Sequence, residues 1–421
     1  MPTALVVSRY FPPLSSAGAS IRLVKLMKYA SEQGWFFSVL TQDPDRPVIS
    51  EKWLSEFLLA EVPAETPVFR IGNPFFGQTI IARLGRKIVG DSSLPWGLSV
   101  TWQGWKKFRR SKPDLIFVNS PPFTNVAIGI TLATLFTVPL VLDMKDDWVG
   151  SPTYWKKGRL HQSVESVVER QVMEKVSAAI IVTHSSYDAW KQRYSSSRLA
   201  KKIYFFPNGE DLEEYQILWD RKRKTVSERI RLFSAATGYR PDYRDLTPFL
   251  QALELFLERF PQARDQMDVE IAGEEPDDSY ITWLDRLLPA KSVHYSGALD
   301  RPTLVEHLWQ ADLFFLVQPR ENSTAISGTL YEYWATGKAP VLLFSETGAS
   351  SDLVISNHLG EHFHFDQVEE ASRYIERVYQ AFCKHQPIWI ERSGVENYDR
   401  RKIAQQMLLI WREIINDSRR Y

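Results

Sequence analysis

The sequence holds a single cysteine, Cys383, in 421 residues. That excludes an internal disulfide and a cysteine-based zinc site, and it fits a reducing compartment. Surplus charge is also missing: 51 Lys and Arg balance 51 Asp and Glu. No bulk field therefore draws nucleic acid or another polyanion, and any anion site must be local. Long apolar runs are absent too. The nearest approach, Val126 to Leu142, is 17 residues long, contains Pro139 and runs into an acidic cluster, so it reads as a buried helix followed by a core strand. No basic, apolar leader precedes the strand-like Ala4 to Ser8, and the expectation is a cytoplasmic protein. Neither an internal repeat nor a low-complexity tract is found.

What is present is apolar residue in quantity, 44% of a chain longer than one hydrophobic core usually serves, so two domains are expected. Apolar runs at Ala4 to Val7, Ser38 to Thr41, Leu115 to Val118, Leu140 to Leu142 and Ala179 to Thr183 read as strands. Helical patterns at Ile21 to Gln33, Asn125 to Phe136 and Gln162 to Val176 lie between them. This alternation argues for an α/β fold with a parallel sheet covered on both faces. A charged stretch from Glu213 to Arg231 interrupts it, and a second series of strands follows at Ile230 to Ala235, Asp268 to Ala272, Ser292 to Ser296, Leu313 to Val317 and Val341 to Phe344. Near the end, Ile403, Met407, Ile410 and Ile414 recur at helical spacing.

The most informative segment is S-G-T-L-Y-E-Y-W-A-T-G-K-A-P, Ser327 to Pro340. A Gly-led turn feeds a short helix there. The unpaired N–H groups and partial positive charge of a helix start suit a phosphate, and small residues let it approach. Ser327, Gly328, Thr329 and Leu330 would form that start, and Glu332, one turn in, is placed to accept ribose hydroxyls. Ordinary α/β packing produces the same local pattern, so the rest of the chain must decide.

The segment resembles the nucleotide-binding turn of GT-B glycosyltransferases of family 4, which usually reads S-G-K-L-Y-E-Y-L-A-x-G-x-P. Further matches run in order along nearly the whole chain: F-P-P-L-S-S-A-G-A-S-I-R (Phe11 to Arg22), S-P-P-F (Ser120 to Phe123), L-D-M-K-D-D-W (Leu142 to Trp148), P-N-G-E-D (Pro207 to Asp211) and Y-R-P-D-Y-R-D (Tyr239 to Asp245). The resemblance implies two Rossmann-like domains facing across a cleft, with the C-terminal helix packing back on the N-terminal domain. The expected parts are an acceptor-side domain over 1–212, a linker over 213–229, a nucleotide-sugar domain over 230–395 and the returning helix over 396–421.

It also implies an activity: transfer of a sugar from a nucleoside diphosphate to a hydroxyl, retaining and without metal or cofactor, in polysaccharide or glycolipid synthesis. The donor would be a nucleotide sugar and the acceptor a saccharide or lipid-linked sugar; no nucleic acid is expected. The difficult charge develops on the departing diphosphate. Arg244 matches the family's loop arginine, and Arg240 lies close enough to assist, since guanidinium forks suit phosphate oxygens. The alternative for both is a surface ion pair with Asp242 or Asp245. Gly18 and Arg22, after the first strand, would approach the diphosphate from the other domain. Asp146 matches the acid of D-x-R-D-P-W and is the candidate for holding the acceptor or stabilising positive charge on the sugar; Lys145 stands at that motif's arginine. Asp143, Asp146 and Asp147 could alternatively hold a divalent cation. His184 reads as structural.

Two departures matter. Thr329 replaces the lysine of S-G-K-L, a charge that Lys338 or Arg240 would have to supply, and Thr324 replaces a second glutamate usual eight positions before Glu332. Altered donor choice, slower chemistry or a catalytically degenerate binding protein remain open on that account, and the shared GT-B architecture leaves a sugar-nucleotide epimerase as a further alternative. Finally, Trp102, Trp105 and Phe108 recur beside Lys106, Lys107, Arg109 and Arg110. They form either a stripe for an anionic membrane, with the protein peripheral on its inner face, or core residues with cations facing water.

Overall fold

In the computed structural model, which describes residues 1–14, 19–45, 57–72, 93–149, 159–219 and 228–420, the apolar runs form two parallel sheets. The first has seven strands in the order β3-β2-β1-β4-β5-β6-β7. They are β1 (Thr3–Val7), β2 (Phe36–Gln42), β3 (Val68–Ile71), β4 (Leu115–Ser120), β5 (Leu140–Met144), β6 (Ala178–Ile181) and β7 (Ile203–Phe205). The second has six, in the order β10-β9-β8-β11-β12-β13: β8 (Ile230–Ser234), β9 (Met267–Ala272), β10 (Val293–Gly297), β11 (Leu313–Val317), β12 (Val341–Phe344) and β13 (Gly360–Phe363). Central parallel strands are covered on both faces, which explains why β4, β5, β11 and β12 are buried along their whole length and carry largely apolar sequence.

The chain divides into two compact units: Met1–Asn208 with Arg400–Tyr421, and Gly209–Asp399. The crossing lies a few residues ahead of the charged stretch taken as linker, because Leu212, Tyr215 and Leu218 are already buried in the core of the second unit. Val395 belongs to that core as well, so the return crossing falls at 399/400 rather than 395/396.

The Arg400–Ser418 helix packs on the first unit, as the resemblance implies. Trp411, fully buried, meets the ring of Trp35 edge-on at 5.2 Å and that of Phe117 at 4.9 Å. Truncating such a residue costs about 3–5 kcal/mol, so this one side chain largely fixes where the helix docks. The Val126 to Leu142 run becomes the Thr124–Phe136 helix followed by β5. Among the described residues no helix is long and apolar enough to cross a membrane.

The strand order reverses direction between β1 and β4 in the first sheet, and between β8 and β11 in the second. At such a reversal the connections from the carboxyl ends of neighbouring strands run to opposite sides, and the crevice expected between them is where open α/β sheets place their ligands.

Candidate functional site

In the second unit the crevice is bounded by the turn after β8 and the loop after β11. Gly238 opens the turn at φ +80°, where a Cβ would also meet the Tyr243 ring at 3.0 Å, so glycine serves both backbone and packing. Arg244 then reaches across the reversal. Its Nη1 donates to the carbonyl of Val317, at the end of β11, at 2.9 Å and to Gln318 Oε1 at 3.4 Å. Its Nε is buried with no acceptor. A buried donor left unpaired costs roughly 1–3 kcal/mol, a deficit that an incoming anion would remove.

Arg240 is different. Nearly half exposed, it stands 3.5 Å from Asp242 and 3.6 Å from Glu274, which is the surface ion pair considered as the alternative and is worth little.

The Gly328–Thr336 helix begins where the motif places it. Ser327 is extended at φ −62°, ψ 131° and makes no side-chain cap, while Gly328 has open space where a Cβ would sit. The amides of Gly328 and Thr329 lie before the first intrahelical acceptor. Leu330 is fully buried, so it offers only its backbone, whose N–H goes to the Ser327 carbonyl at 3.1 Å. Stacking of Tyr333 on Phe314 at 4.1 Å fastens the helix to β11. The preceding loop is clasped from the Ala349–Ser356 helix: Ala349 N–H donates to Ser323 O at 2.8 Å and Ser350 Oγ to Ala325 O at 3.0 Å. A Cβ at Gly348 would lie 2.2 Å from the Ser323 carbonyl oxygen, so nothing larger fits there.

Glu332 is not a bare carboxylate. Arg301 Nη1 donates to its Oε1 at 2.7 Å, and the same guanidinium holds Glu210 at 2.9 Å, Glu214 at 2.6 Å and Tyr215 OH at 3.2 Å. Burial works against a charge on Arg301. The surrounding Tyr215, Glu210, Glu332 and Glu214 outweigh it and raise its pKa well above the ordinary value. Lys338 does not replace the missing motif lysine at the helix start: it lies beyond the helix C-terminus, over the Trp389 ring at 4.0 Å and near Asp312 at 3.9 Å.

In the first unit, Asn119 Nδ2 donates to Ser8 Oγ at 3.1 Å and ties the ends of β4 and β1 together. Gly18 lies outside the described residues. Arg22 is reassigned by its contacts. It grips Asp143 through Nε at 3.0 Å and Nη2 at 3.1 Å, and gives its remaining bonds to the carbonyls of Phe206, at 3.1 Å, and Pro207. Both side chains are buried. With its fork already filled by protein acceptors, Arg22 braces the sheet edge and is not placed to meet a diphosphate.

The three aspartates thus separate. Asp143 belongs to Arg22, Asp147 to Arg193 at 3.1 Å and Trp190 at 2.7 Å, and Asp146 alone is exposed. Among the described residues no three His, Cys, Asp or Glu side chains converge to hold a metal. Although exposed, Asp146 is desolvated by the protein around it, which raises its carboxyl pKa against the pull of Lys145. Burial lowers the Lys145 ammonium to about 7, with the charges of Asp143 and Asp146 opposing and Arg22 assisting. His184 stacks on Phe205 at 3.9 Å, a packing role.

Sequence reasoning missed Arg301, Gln318 and Gly348, which belong to none of the motifs, and gave no duty to Glu210, which lies within P-N-G-E-D; all four help to place the named residues.

Residues 17–209 match the family described as "Glycosyl transferase 4-like domain". No curated protein sequence matches the chain. Among solved structures, sucrose-phosphate synthase from Thermosynechococcus elongatus is 15% identical, covers 99% of this chain and 100% of its own, and superposes with a TM-score of 0.66. Anabaena HepE, solved with UDP and glucose, is 17% identical over 97% of this chain and 99% of its own, with a TM-score of 0.63. WaaG, described as a glycosyltransferase of lipopolysaccharide biosynthesis, is 13% identical over 96% of this chain and 98% of its own, with a TM-score of 0.59. At these identities the likeness establishes the two-sheet fold.

Proposed function

We propose that the chain, whose residues 17–209 match the glycosyl transferase 4-like family, is a GT-B glycosyltransferase that moves a sugar from a nucleoside-diphosphate donor to a hydroxyl acceptor. The observation that carries this reading is the Arg244 guanidinium, held across the strand reversal with its Nε buried and unpaired. In the proposed reaction the bond from the anomeric carbon to the diphosphate breaks, the acceptor hydroxyl oxygen bonds to that carbon, and the diphosphate leaves as an anion that can take up the acceptor's proton. Arg244 and the Gly328 and Thr329 amides supply cationic and dipolar stabilisation where that charge grows. Glu332, oriented by Arg301, takes the ribose hydroxyls, and Asp146 takes the acceptor side. We assign a retaining, metal-independent course on family resemblance, and a role in polysaccharide or glycolipid assembly on the same ground. That HepE was solved with UDP and glucose supports testing UDP first.

Calorimetric titration with UDP, GDP, ADP and TDP tests the donor site. One diphosphate should bind, and Arg244→Ala should weaken it by roughly 10–150-fold, the loss of one charge-assisted hydrogen-bond set worth about 1.5–3 kcal/mol. Binding of none would favour the degenerate, non-enzymatic reading. Turnover of a nucleotide sugar to its epimer without an acceptor would favour the epimerase.

A membrane surface is the proposed setting for the acceptor. On the Leu94–Phe108 helix, Leu98 is 65% and Trp102 61% exposed. Trp102 packs against Trp105 at 5.3 Å, and Arg109 sits 5.0 Å over Trp105. Leu98, Trp102 and Arg109 share one outward face by helical spacing, while Trp105 and Phe108 both pack partly into the core, Phe108 against Phe69, so Leu98 and Trp102 are the outward apolar residues. Lys106, Lys107 and Arg110 flank them, and no acidic residue occurs between Asp91 and Asp114. An apolar stripe edged with cations suits anionic lipid. Cosedimentation with phosphatidylglycerol vesicles at low salt should fall sharply in Leu98→Ser/Trp102→Ser, and equal pelleting of both proteins would remove the membrane from the account.

A further inference from the structure

Asp146 is exposed, yet the loop that carries it is fastened on both sides. The Lys145 N–H donates to the Ser120 carbonyl at 3.1 Å. Trp148 lies face to face with Phe123, 4.3 Å between centroids and 12° between planes. The Val149 N–H donates to Glu169 Oε2 at 3.2 Å. Asp147 receives Trp190 Nε1 at 2.7 Å. These fasteners come from β4, from the loop after it, and from two helices, Arg159–Lys175 and His184–Arg193.

One cation joins the two helical fasteners. Arg193 meets Asp147 through Nη2 at 3.1 Å and Glu169 through Nη1 at 2.6 Å, and Tyr194 OH adds a bond to Glu169 at 2.8 Å. Both carboxylates are buried. Burial and the charge of Asp147 raise the Glu169 carboxyl against the opposing Arg193 and Tyr194. Without the guanidinium, two buried carboxylates would repel each other across the base of the loop.

We propose that Arg193 is a positioning residue: by holding Asp147 and Glu169 together it fixes the 145–149 loop and so the direction in which Asp146 is presented. The proposal rests on the reading of Asp146 as the acceptor-side carboxylate. Arg193 touches neither substrate nor donor in this account. Its planar fork spans two acceptors at once, which a lysine ammonium on a flexible stem does less well.

The test compares Arg193→Met, Arg193→Lys and Trp190→Phe with the parent chain by two readouts. Amide hydrogen exchange reads the loop without substrate. Steady-state release of diphosphate from UDP-, GDP-, ADP- and TDP-glucose, with and without octyl glycosides, reads the chemistry.

In Arg193→Met the Lys145 and Val149 amides should exchange at least tenfold faster while β8 to β13 keep their protection. The kcat should fall about 100-fold, the usual consequence of an ångström-scale misplacement, with donor KM and diphosphate affinity unchanged. Arg193→Lys should recover part of kcat, and Trp190→Phe, which removes one hydrogen bond to Asp147 but no charge, should show a smaller fall in the same direction. If Arg193→Met does not fold, the Lys and Phe variants carry the same comparisons.

Unchanged exchange in the loop overturns the proposal. So does a loss in which kcat and donor KM move together, or a lysine variant no better than methionine. A parent chain that binds no diphosphate and cleaves no nucleotide sugar instead refutes the glycosyltransferase reading, while the exchange result still decides whether Arg193 holds the loop.

Discussion

Replacing Arg301 with methionine separates two kinds of glutamate, one that binds and one that merely packs. In the structure a single buried guanidinium compensates Glu210, Glu214 and Glu332, with contacts of 2.9, 2.6 and 2.7 Å. Removing it leaves three carboxylates close together and out of water. Breaking a buried pair by deleting one partner costs about 3–5 kcal/mol. The unit concerned runs from Gly209 to Asp399; for a body of that size each kcal/mol moves Tm by about 2–4 °C, so the melting of this unit should drop by about 6–20 °C. Scanning calorimetry of the parent and variant chains reads that drop. Titration with the preferred nucleoside diphosphate should weaken in parallel, since Glu332 is no longer oriented. A deficit below about 1 kcal/mol would mean instead that the cluster is solvated and Arg301 is a surface partner of little consequence.

Gly337→Ala should destabilise the second unit by about 1–2 kcal/mol from the left-handed backbone alone, at φ +58° with a Cβ landing 2.3 Å from Arg392 Cγ; unchanged denaturant unfolding would show that the turn relaxes freely. Lys145→Arg should flatten the pH dependence of stability between about pH 7 and 10. The native lysine, lowered to about 7, binds fewer protons than the unfolded chain in that window, so native stability rises with pH there, whereas arginine stays charged throughout; identical slopes for the two proteins would remove Lys145 as a titrating group.

The fold was legible where a strand is buried on both faces. β11 reads LFFLV from Leu313 to Val317, and β4 reads LIFVNS; each is buried throughout and leaves no competing period. Three edge strands were not legible. β3 reads VFRI, β7 is three residues long, and β13 reads GEHF and is half-buried over most of its length. An edge strand pairs on one side only, and a short polar one has no apolar run to announce it. Backbone geometry identifies β13 instead: a Cβ at Gly360 would lie 2.0 Å from the Val341 carbonyl oxygen, so the approach of β13 to β12 depends on a residue whose significance single-sequence reading does not reveal.

For the site, the motifs named residues of the turn after β8 and of the Gly328–Thr336 helix start, but not what those side chains hold. The local signal that marks Gly328 is the turn itself, a short-range property. What decides between binding and bracing is long-range. Arg22 meets Asp143 from 121 positions away and Arg301 meets Glu332 from 31, separations at which one sequence carries no pairing information. Counting donors then sorts the arginines. Arg22 has spent its fork on Asp143 and two carbonyls, Arg240 lies at loose ion-pair distance from two exposed-side acids, and Arg244 alone of the three keeps a buried, unpaired Nε at the strand reversal. An unsatisfied buried donor costs roughly 1–3 kcal/mol, so under the proposed function a donor diphosphate bound where the strand order reverses would relieve Arg244 as the protein's own acceptors relieve Arg22.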